Sequence, residues 1–458
     1  MPAALGACAP DLGKAPTPRT AASLASSVSL PDENGRWPGD GWWRAYGDPQ
    51  LDALIQEGLK GAPDIAAAAA RLARAEGEAE VAGAAGGPSA TANGSIGKAK
   101  QSYNFGIPPA FVPRGWQSVG NLNLQLALDL DIWGRNRALH RAALDEAQAA
   151  RLDAAEARLT LAAAIASAYA DLARLYAERD VADQAVRIQT ETSDLVSQRV
   201  NNGLDTQGEL RQAAAAVPAA RVDLATIDES ILMVRHQIAA LIGAGPDRGL
   251  AISRPQLGML HPAALPADAG IALVGRRPDI VAARMRAEAA AQRIHAARAA
   301  FYPNLSLSGL IGMESLGLSK LLETGSSYGN AGPALSLPLF DMGQRAGSYR
   351  VARADYDAAV ADYDRTLVGA LREVADAVSG RAALAGEVRD AQASLADSEA
   401  AFRIARLRYQ GGLSTYLSVL TAEQAVIAAR RRNVDLAARG VTLDIALVRA
   451  LGGGFAGE

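Results

Sequence analysis

Every second residue from Leu122 to Ile132 is a large aliphatic, and the residues between them are small, polar or acidic. Because strand side chains alternate between two faces, the segment predicts a β-strand with one apolar face and one polar face. A soluble sheet with one buried face shows the same alternation. Eleven residues, tilted by about 40°, rise roughly 27 Å, which is close to the apolar band of an outer-membrane barrel. The apolar face therefore meets either lipid or a protein core.

Composition limits the kind of partner. The 458-residue chain has a net charge of −3 and a pI near 5.9 and contains no lysine or arginine run of the kind that reads phosphates, so nucleic acid is not expected as a partner. Aromatic residues make up only 5%, whereas alanine is abundant, a composition typical of long, closely packed helices. No apolar run approaches the length of a membrane helix. Any membrane-crossing part of this chain would therefore consist of strands.

The single cysteine, Cys8, excludes an intramolecular disulfide and a thiolate metal site. Together with the preceding Leu5-Gly6-Ala7 it resembles a bacterial lipobox, in which the cysteine is acylated and becomes the first mature residue. An incidental cysteine is the alternative, because residues 1–7 lack the basic and apolar regions of a signal peptide. We expect the printed start to lie inside the true signal, and residues 1–36 to form a signal remnant and tether.

The chain is internally duplicated. Pro63-Asp64-Ile65 recurs 215 residues later as Pro278-Asp279-Ile280, whereas Gly134 and Gly203-Leu204 recur 209 residues later. The two offsets differ by six residues, which places an insertion between the two strands of the first copy, as is typical of a loop tip. The sequence therefore predicts a first repeat at 37–243, an irregular connector at 244–267 and a second repeat at 268–458.

Each repeat predicts a helix, two strands, a long helix and a returning helix. Neither long helix contains proline, and at 1.5 Å per residue each extends about 100 Å. Apolar residues recur along them with a period near 3.5, which predicts left-handed coiled packing against neighbouring helices. The predicted strands span about 89–99, 119–132, 303–314 and 330–341. The predicted long and returning helices span about 135–201, 206–242, 344–410 and 415–451.

Both long helices end at a matched glycine turn. Gly203-Leu204 and Gly412-Leu413 supply the left-handed stop, and Asp205 or Ser414 is expected to cap the returning helix. Each turn is therefore predicted to be the tip of a helical hairpin, about 100 Å from the strands.

Four strands cannot close a barrel alone, and an open sheet edge is not viable in lipid. If the strands cross a membrane, several chains must pool them. The alternative is a soluble helical scaffold on which the strands form a packed cap. Strand length, the polar face and the duplicated hairpins favour the pooled barrel.

Motifs across residues 37–454 occur in the order of a known family: Trp42-Trp43-Arg44, Asp131 to Arg135, Arg276 to Ile280, Phe301 to Leu307 and Ala450 to Gly454. The chain resembles the TolC-type outer-membrane efflux channels and is most similar to their OprM/NodT-like lipoprotein branch. The resemblance implies a mainly α-helical homotrimer, in which four strands per chain form a twelve-stranded membrane β-barrel and the long helices form a periplasmic α-barrel. The implied partners are a periplasmic adaptor, an inner-membrane transporter of the resistance-nodulation-division type and outer-membrane lipid.

The resemblance also implies a docking site. Gly203, Leu204, Gly412 and Leu413 would lie at the periplasmic entrance, where the adaptor contacts the channel. Helix termination alone also requires glycine turns at these positions, so docking and a purely structural role both remain open.

The entrance departs from the family pattern. Family members carry aspartates after the second turn that form an acidic ring, but the matching residues here are Ser418 and Thr421. The equivalent of Ser418 in the first repeat is Glu209, which is either a substitute acidic constriction or a solvated glutamate. If the leucines face lipid, the barrel lumen is lined by Asn123, Gln125, Asp129 and Asp131.

No catalytic, metal or cofactor site is predicted. The four histidines lack ligand spacing, and no phosphate-binding, dinucleotide or nucleophile motif occurs. We therefore predict no enzyme but a passive exit duct of a tripartite efflux system, which carries drugs or other toxic small molecules across the bacterial outer membrane. A channel for type I protein secretion is the alternative within this class, and a pore-free periplasmic coiled-coil scaffold is the alternative outside it.

Overall fold

The computed structural model describes residues 9–26, 28–30, 35–258, 265–266 and 268–455, so Cys8, the predicted lipidation site, lies outside the described residues. The chain divides into two compact units. The first, here called the strand unit, comprises Met1–Pro18, Arg71–Ala150 and Ala283–Tyr363. The second, the helical unit, comprises Arg19–Ala70, Arg151–Ala282 and Asp364–Glu458.

Helices are the main elements of the described residues. They are α1 (Pro49–Gly61), α2 (Pro63–Ala84), α3 (Arg135–Asn201), α4 (Gln207–Leu241), α5 (Pro246–Leu250), α6 (Ala269–Arg276), α7 (Pro278–Ala299), α8 (Gln344–Gln410) and α9 (Tyr416–Ala450). α3 and α8 contain 67 residues each, begin and end where the sequence predicts, and are about 100 Å long. Within the described part of the chain, none of the helices is both apolar and long enough to cross a bilayer.

The strand unit contains one antiparallel sheet. Its strands are β1 (Ser89–Ala99), β2 (Gln117–Asp129), β3 (Asn304–Leu316) and β4 (Ser327–Ser336), and they lie side by side in chain order. Gly94 pairs with Leu122, which pairs with Met313 on β3. Directly paired residues share a face, so this register places the alternating aliphatic residues of the strands on one face of the sheet.

Two strands end earlier than the sequence predicts. The alternation predicts that β2 extends to residue 132, but the strand ends at Asp129. Asp131 adopts a left-handed φ of 44°, and its carboxylate accepts the backbone N–H groups of Asn136 at 2.9 Å and Arg137 at 3.0 Å, so the chain turns into α3. β4 is predicted at 330–341 but spans Ser327–Ser336. Pro338 follows, and proline both lacks an N–H donor and restricts the residue before it.

The helical unit has an apolar core formed where α1 packs against α3 and α4. Its fully buried members include Leu54, Ile55, Ile165, Leu172 and Ile238. A Cβ on Gly58 of α1 would lie 2.7 Å from the terminal carbon of the Ile165 side chain, so any larger residue there would force Ile165 to shift.

A buried arginine joins three helices of this unit. Arg277, just before α7, pairs with Asp279 at 2.6 Å and with Glu373 of α8 at 2.7 Å. Its guanidinium also donates to the carbonyl of Ala450 at the end of α9. Burial would lower the pKa of Arg277, but the two carboxylates raise it further above its usual value, so the side chain stays charged.

Candidate functional site

The aliphatic face of the sheet is uncovered in the strand unit. Leu122 is 48% exposed and Ile311 is 66% exposed, although both are large apolar side chains in the middle of ordered strands. A contiguous exposed apolar surface of this kind marks a lipid or protein interaction site. The opposite face is polar and internally hydrogen-bonded: Asn121 donates to the Tyr328 hydroxyl at 2.8 Å, and Asn93 donates to Asn123 at 3.2 Å.

Aromatic side chains border the aliphatic face of the sheet at both ends of the strands. At the end that leads into the helices, Trp133 stacks on Tyr302 with ring centroids 4.5 Å apart and donates to the Pro303 carbonyl at 2.8 Å. At the loop end, Trp116 and Phe111 are exposed. Aromatic girdles at both edges of an apolar band are typical of transmembrane strands.

The predicted lumen residues fall into two groups. Asn123, Gln125 and Asp129 lie in β2 on the face opposite the leucines, as the alternation requires. Asp131 does not lie in a strand, because its carboxylate caps α3 and pairs with Arg137 at 3.3 Å. The prediction that β2 extends through Asp131 is therefore wrong, whereas the assignment of Asp131 to the lumen stays a prediction.

The second repeat contains the same capping device, which the sequence interpretation missed. Asp341 accepts the backbone N–H groups of Gly343 and Arg345, each at 3.1 Å, and pairs with the Arg345 side chain at 2.6 Å. An aspartate placed shortly before a glycine and an arginine at the start of each long helix was the available signal.

The two hairpin tips in the helical unit have the same turn geometry. Leu204 N–H donates to Arg199 O at 2.9 Å, and Leu413 N–H donates to Arg408 O at 2.8 Å. Gly203 and Gly412 adopt left-handed φ values of 70° and 73°. These are Schellman turns, which fix the end of a helix through a glycine. They leave Leu204 62% exposed and Leu413 71% exposed.

A charged network joins the two tips. Arg199 pairs with Asp205 at 2.9 Å, donates to the Tyr409 carbonyl at 2.9 Å and lies 4.5 Å from the Tyr409 ring centroid. The Tyr409 hydroxyl donates to the same Asp205 carboxylate. Burial would raise the pKa of Asp205, but the hydrogen bonds from Arg199 and Tyr409 hold it below its usual range. Burial, together with Asp205, raises the pKa of the Tyr409 hydroxyl.

A buried cluster lies behind this network. It contains Val196 of α3, Ala213 of α4, Tyr409 of α8, and Tyr416 and Val419 of α9. Further along α9, Glu423 is only 2% exposed and accepts the Thr192 hydroxyl of α3 at 2.9 Å. Burial raises the pKa of Glu423. The four long helices are therefore joined near the tips by apolar packing and by polar contacts.

The candidate entrance residues have local roles. Thr206 caps α4, and Glu209 accepts the Thr206 backbone N–H at 2.8 Å and the Thr206 hydroxyl at 3.0 Å, a reciprocal capping box. The prediction that Asp205 or Ser414 caps the returning helices is therefore wrong. Asp205 binds Arg199, and the buried Ser414 hydroxyl has no hydrogen-bond partner among the described residues.

The matching positions on α9 carry no charge. Ser418 and Thr421 are exposed, and the Thr421 hydroxyl donates to the Leu417 carbonyl at 2.9 Å. Within the residues that the structure describes, no group of histidine, cysteine, aspartate or glutamate is arranged to hold a metal ion.

An amphipathic four-stranded sheet with aromatic borders and two matched helical hairpins are the parts of an outer-membrane channel protein. The profile of the outer membrane efflux protein family matches residues 54–244 and 272–453, and the chain belongs to this family. FusA of Burkholderia cepacia, a fusaric acid resistance protein, is 36% identical over 338 residues, which are 73% of this chain and 63% of FusA. This chain therefore matches less than two thirds of FusA.

Other relatives match over nearly their whole length. MdtP of Escherichia coli K12, a multidrug resistance outer membrane protein, is 30% identical over 94% of this chain and 89% of its own. The crystal structure of the outer membrane protein VceC from Vibrio cholerae superimposes with a TM-score of 0.87 and 42% identity, covering 92% of this chain and 100% of VceC. The predictions of a TolC-type fold, an outer-membrane location and an outer-membrane role in efflux are confirmed.

Proposed function

We propose that three copies of this chain pool their strands into one membrane barrel, through which small molecules leave the cell. The sheet carries this proposal. Its aliphatic face is exposed, and within the described residues β1 and β4 each pair on one side only. An unpaired strand edge in lipid leaves backbone groups without hydrogen bonds. Pairing β4 of one copy with β1 of the next satisfies both edges and closes the barrel.

The duct would do no chemistry of its own. No catalytic arrangement accompanies the tip network or the sheet in the described residues, so we propose that the chain is not an enzyme and that transport energy comes from an inner-membrane transporter of the resistance-nodulation-division type. A periplasmic adaptor would connect the two. The resistance proteins FusA and MdtP support drugs and other toxic small molecules as cargo for this chain.

The adaptor would dock at the hairpin tips. Gly203 and Gly412 hold the turns in one conformation, and this presents the exposed Leu204 and Leu413 as apolar contacts. A photo-crosslinking residue at position 204 or 413 should capture the adaptor in cells. The same residue in place of Leu250, an exposed leucine of α5, is the matched control. Capture from all three positions, or from the control alone, would rule out tip docking.

Glu209 would supply the acidic constriction that Ser418 and Thr421 lack. Its carboxylate lies in the first turn of α4, and three copies would approach one axis in a trimer. Glu209→Gln removes the charge but keeps the capping box, because glutamine also accepts at this position. The variant should lose cation selectivity in a planar bilayer, whereas Glu80→Gln, which removes the charge of an exposed glutamate of α2, should not. Asn123, Gln125 and Asp129 would line the pore further along.

Cys8 would carry the lipid anchor. The lipobox-like Leu5-Gly6-Ala7-Cys8 supports this assignment. Cells that express the full-length gene should incorporate a clickable palmitate analogue into the chain, and Cys8→Ser should abolish incorporation. Equal labelling of both chains would place the acyl group elsewhere.

Purified protein tests the channel itself. We expect a detergent-dependent trimer whose insertion into a planar bilayer gives discrete conductance steps. A protein that remains soluble and monomeric without detergent, and never conducts, would instead support the pore-free scaffold.

A further inference from the structure

Lysine is rare in this chain and concentrated in one place. The five lysines are Lys14, Lys60, Lys98, Lys100 and Lys320. Three of them lie at the loop end of the sheet, where Lys98 is near the end of β1, Lys100 follows that strand and Lys320 lies between β3 and β4. Elsewhere almost all the cationic side chains are arginines, so the loop end of the sheet differs from the rest of the chain in carrying lysines.

The register places Lys98 at the end of the aliphatic face. Lys98 pairs with Ser118, two positions beyond the pair of Ile96 with Gly120 and four beyond the pair of Gly94 with Leu122. Because alternate residues share a face, Lys98 follows Ile96 on the leucine side of the sheet. Ile96 is exposed, so the apolar band continues up to the lysine.

Lys320 reaches the same side of the sheet from another loop. It ends a short 3₁₀ turn, Leu318–Lys320, and the N–H of Gly317 just before the turn donates to the Ser118 carbonyl at 2.7 Å. A Cβ on Gly120 would lie 3.1 Å from the side chains of both Leu318 and Leu321. Since Gly120 is on the leucine side, the turn packs over that face close to Lys98.

The three lysines at the loop end have no acidic partner among the residues that the structure describes. Within the described residues none of the three ammonium groups forms an ion pair, and Lys100 lies 6.0 Å from the Tyr103 ring centroid. Arg114 adds a fourth cation at this end of the sheet. The acids nearby are Glu323, in the same loop as Lys320, and Glu314, which pairs with Asn121 and therefore lies on the polar face.

Exposed apolar side chains surround these cations. Phe105, Phe111, Trp116 and Leu322 are all exposed in the two loops that carry the lysines. A ligand that fits this surface has both anionic groups and long apolar chains. Lysine is a compact point charge that binds phosphate, and its aliphatic stem lies along apolar surface while the ammonium reaches a polar layer.

We infer that this lysine and aromatic rim binds a phosphorylated, multiply acylated glycolipid of the outer leaflet, of the lipid A type. The inference rests on the proposed function. In an outer-membrane channel whose long helices extend into the periplasm, the loop end of the sheet faces the outer leaflet. The glycolipid phosphates contact Lys98, Lys100 and Lys320, and its acyl chains lie along Ile96 and the leucine face. The helix end of the sheet differs, because its arginines Arg137 and Arg345 are paired with Asp131 and Asp341.

The test uses the full-length chain in detergent and three lipid probes. These are bisphosphorylated lipid A, enzymatically dephosphorylated lipid A and phosphatidylglycerol, with binding measured by native mass spectrometry or thermophoresis. The triple variant Lys98→Gln, Lys100→Gln, Lys320→Gln should bind the bisphosphorylated lipid about 100-fold more weakly, at about fivefold per lysine. The matched control, Lys14→Gln with Lys60→Gln, removes the two remaining lysines and should bind within about twofold of the unsubstituted chain.

Each outcome of this binding experiment either supports or overturns the inference. Weaker binding by the triple variant alone, together with preference for the phosphorylated glycolipid, is the expected result. Equal binding by both variants, equal binding of the dephosphorylated lipid or equal binding of phosphatidylglycerol would overturn the inference. Conductance of the unsubstituted chain, measured on the same preparation, reports on the proposed channel separately. A conducting trimer without selective glycolipid binding would therefore refute the inference of glycolipid binding and leave the proposed channel in place.

Discussion

Removal of the Tyr409 hydroxyl should loosen the two hairpin tips without unfolding the protein. Tyr409 is fully buried, and its hydroxyl donates to Asp205, whose side chain is only 7% exposed. In Tyr409→Phe water cannot readily replace this donor, whereas Arg199 still pairs with the carboxylate. A hydrogen bond to a charged group contributes about 1.5–3 kcal/mol, and we expect the lower end because Arg199 remains.

That free energy translates into faster opening of the tips. About 1.5–2 kcal/mol corresponds to roughly 10- to 30-fold faster hydrogen exchange for amides that exchange through local opening. The effect should be confined to amides near Gly203 and Gly412 when exchange is followed by mass spectrometry. Tyr356→Phe is the matched control, because this tyrosine of α8 donates to the Pro16 carbonyl at 3.1 Å and lies far along the chain from the tips.

The same experiment has a pH dependence of known sign. The folded-state pKa of Asp205 lies below its unfolded value, so its contribution to stability is present above the unfolded pKa of about 3.9 and is lost as pH falls through the folded pKa. The difference between Tyr409→Phe and the unsubstituted chain should therefore persist at pH 6 and shrink below about pH 4. Unchanged tip exchange in the variant at pH 6 would refute the view that this network holds the tips together.

Three other substitutions test separate parts of the account. Glu423→Gln keeps an acceptor for Thr192 but removes a carboxyl group whose pKa is raised by burial. The stability that this carboxyl contributes is lost as pH rises through its folded-state pKa, so the stability of the variant in urea, relative to the unsubstituted chain, should increase from pH 4 to pH 8. A decrease would contradict the raised pKa of Glu423. Arg277→Met leaves two carboxylates without their cation and should destabilise the helical unit by about 3–5 kcal/mol; a melting temperature within a degree or so of the original would count against it. Gly412→Ala places a Cβ at a φ of 73° and should cost about 1–2 kcal/mol, whereas Gly411→Ala should cost less; equal thermal shifts would show that the turn does not need glycine.

The sequence predicts elements whose signals are local or repeated. The ends of α3 and α8 follow from glycine turns, and the duplicated Gly203 and Gly412 show where each hairpin reverses. The alternation from Leu122 onward predicts β2 but not where it ends. The alternation places Asp131 on the polar face of β2, but its carboxylate caps α3 instead. Only the backbone of the structure shows that the strand has ended before this residue.

Other contacts were beyond prediction because they join distant residues. Arg199 and Tyr409 are 210 positions apart, and their approach depends on how two hairpins pack. Glu423 looks like an ordinary polar residue on a helix, and its burial against Thr192 emerges only from the packing of α9 on α3. The capping box of Thr206 and Glu209 is visible in the sequence as a Thr-x-x-Glu pattern, but neither alternative for Glu209, an acidic constriction or a solvated glutamate, includes helix capping.

The central claim is that the leucine side chains of β2 contact lipid and that the side chains alternating with them contact water. Since Cys8 is the single native cysteine, a Cys8→Ser background allows one new thiol at a time, at Leu124 or at the adjacent Gln125 on the opposite face. With the protein in native outer membranes, a membrane-impermeant maleimide should label Gln125→Cys readily and leave Leu124→Cys unlabelled until detergent is added. Equal labelling of both thiols before detergent, or labelling of Leu124→Cys alone, would contradict the account.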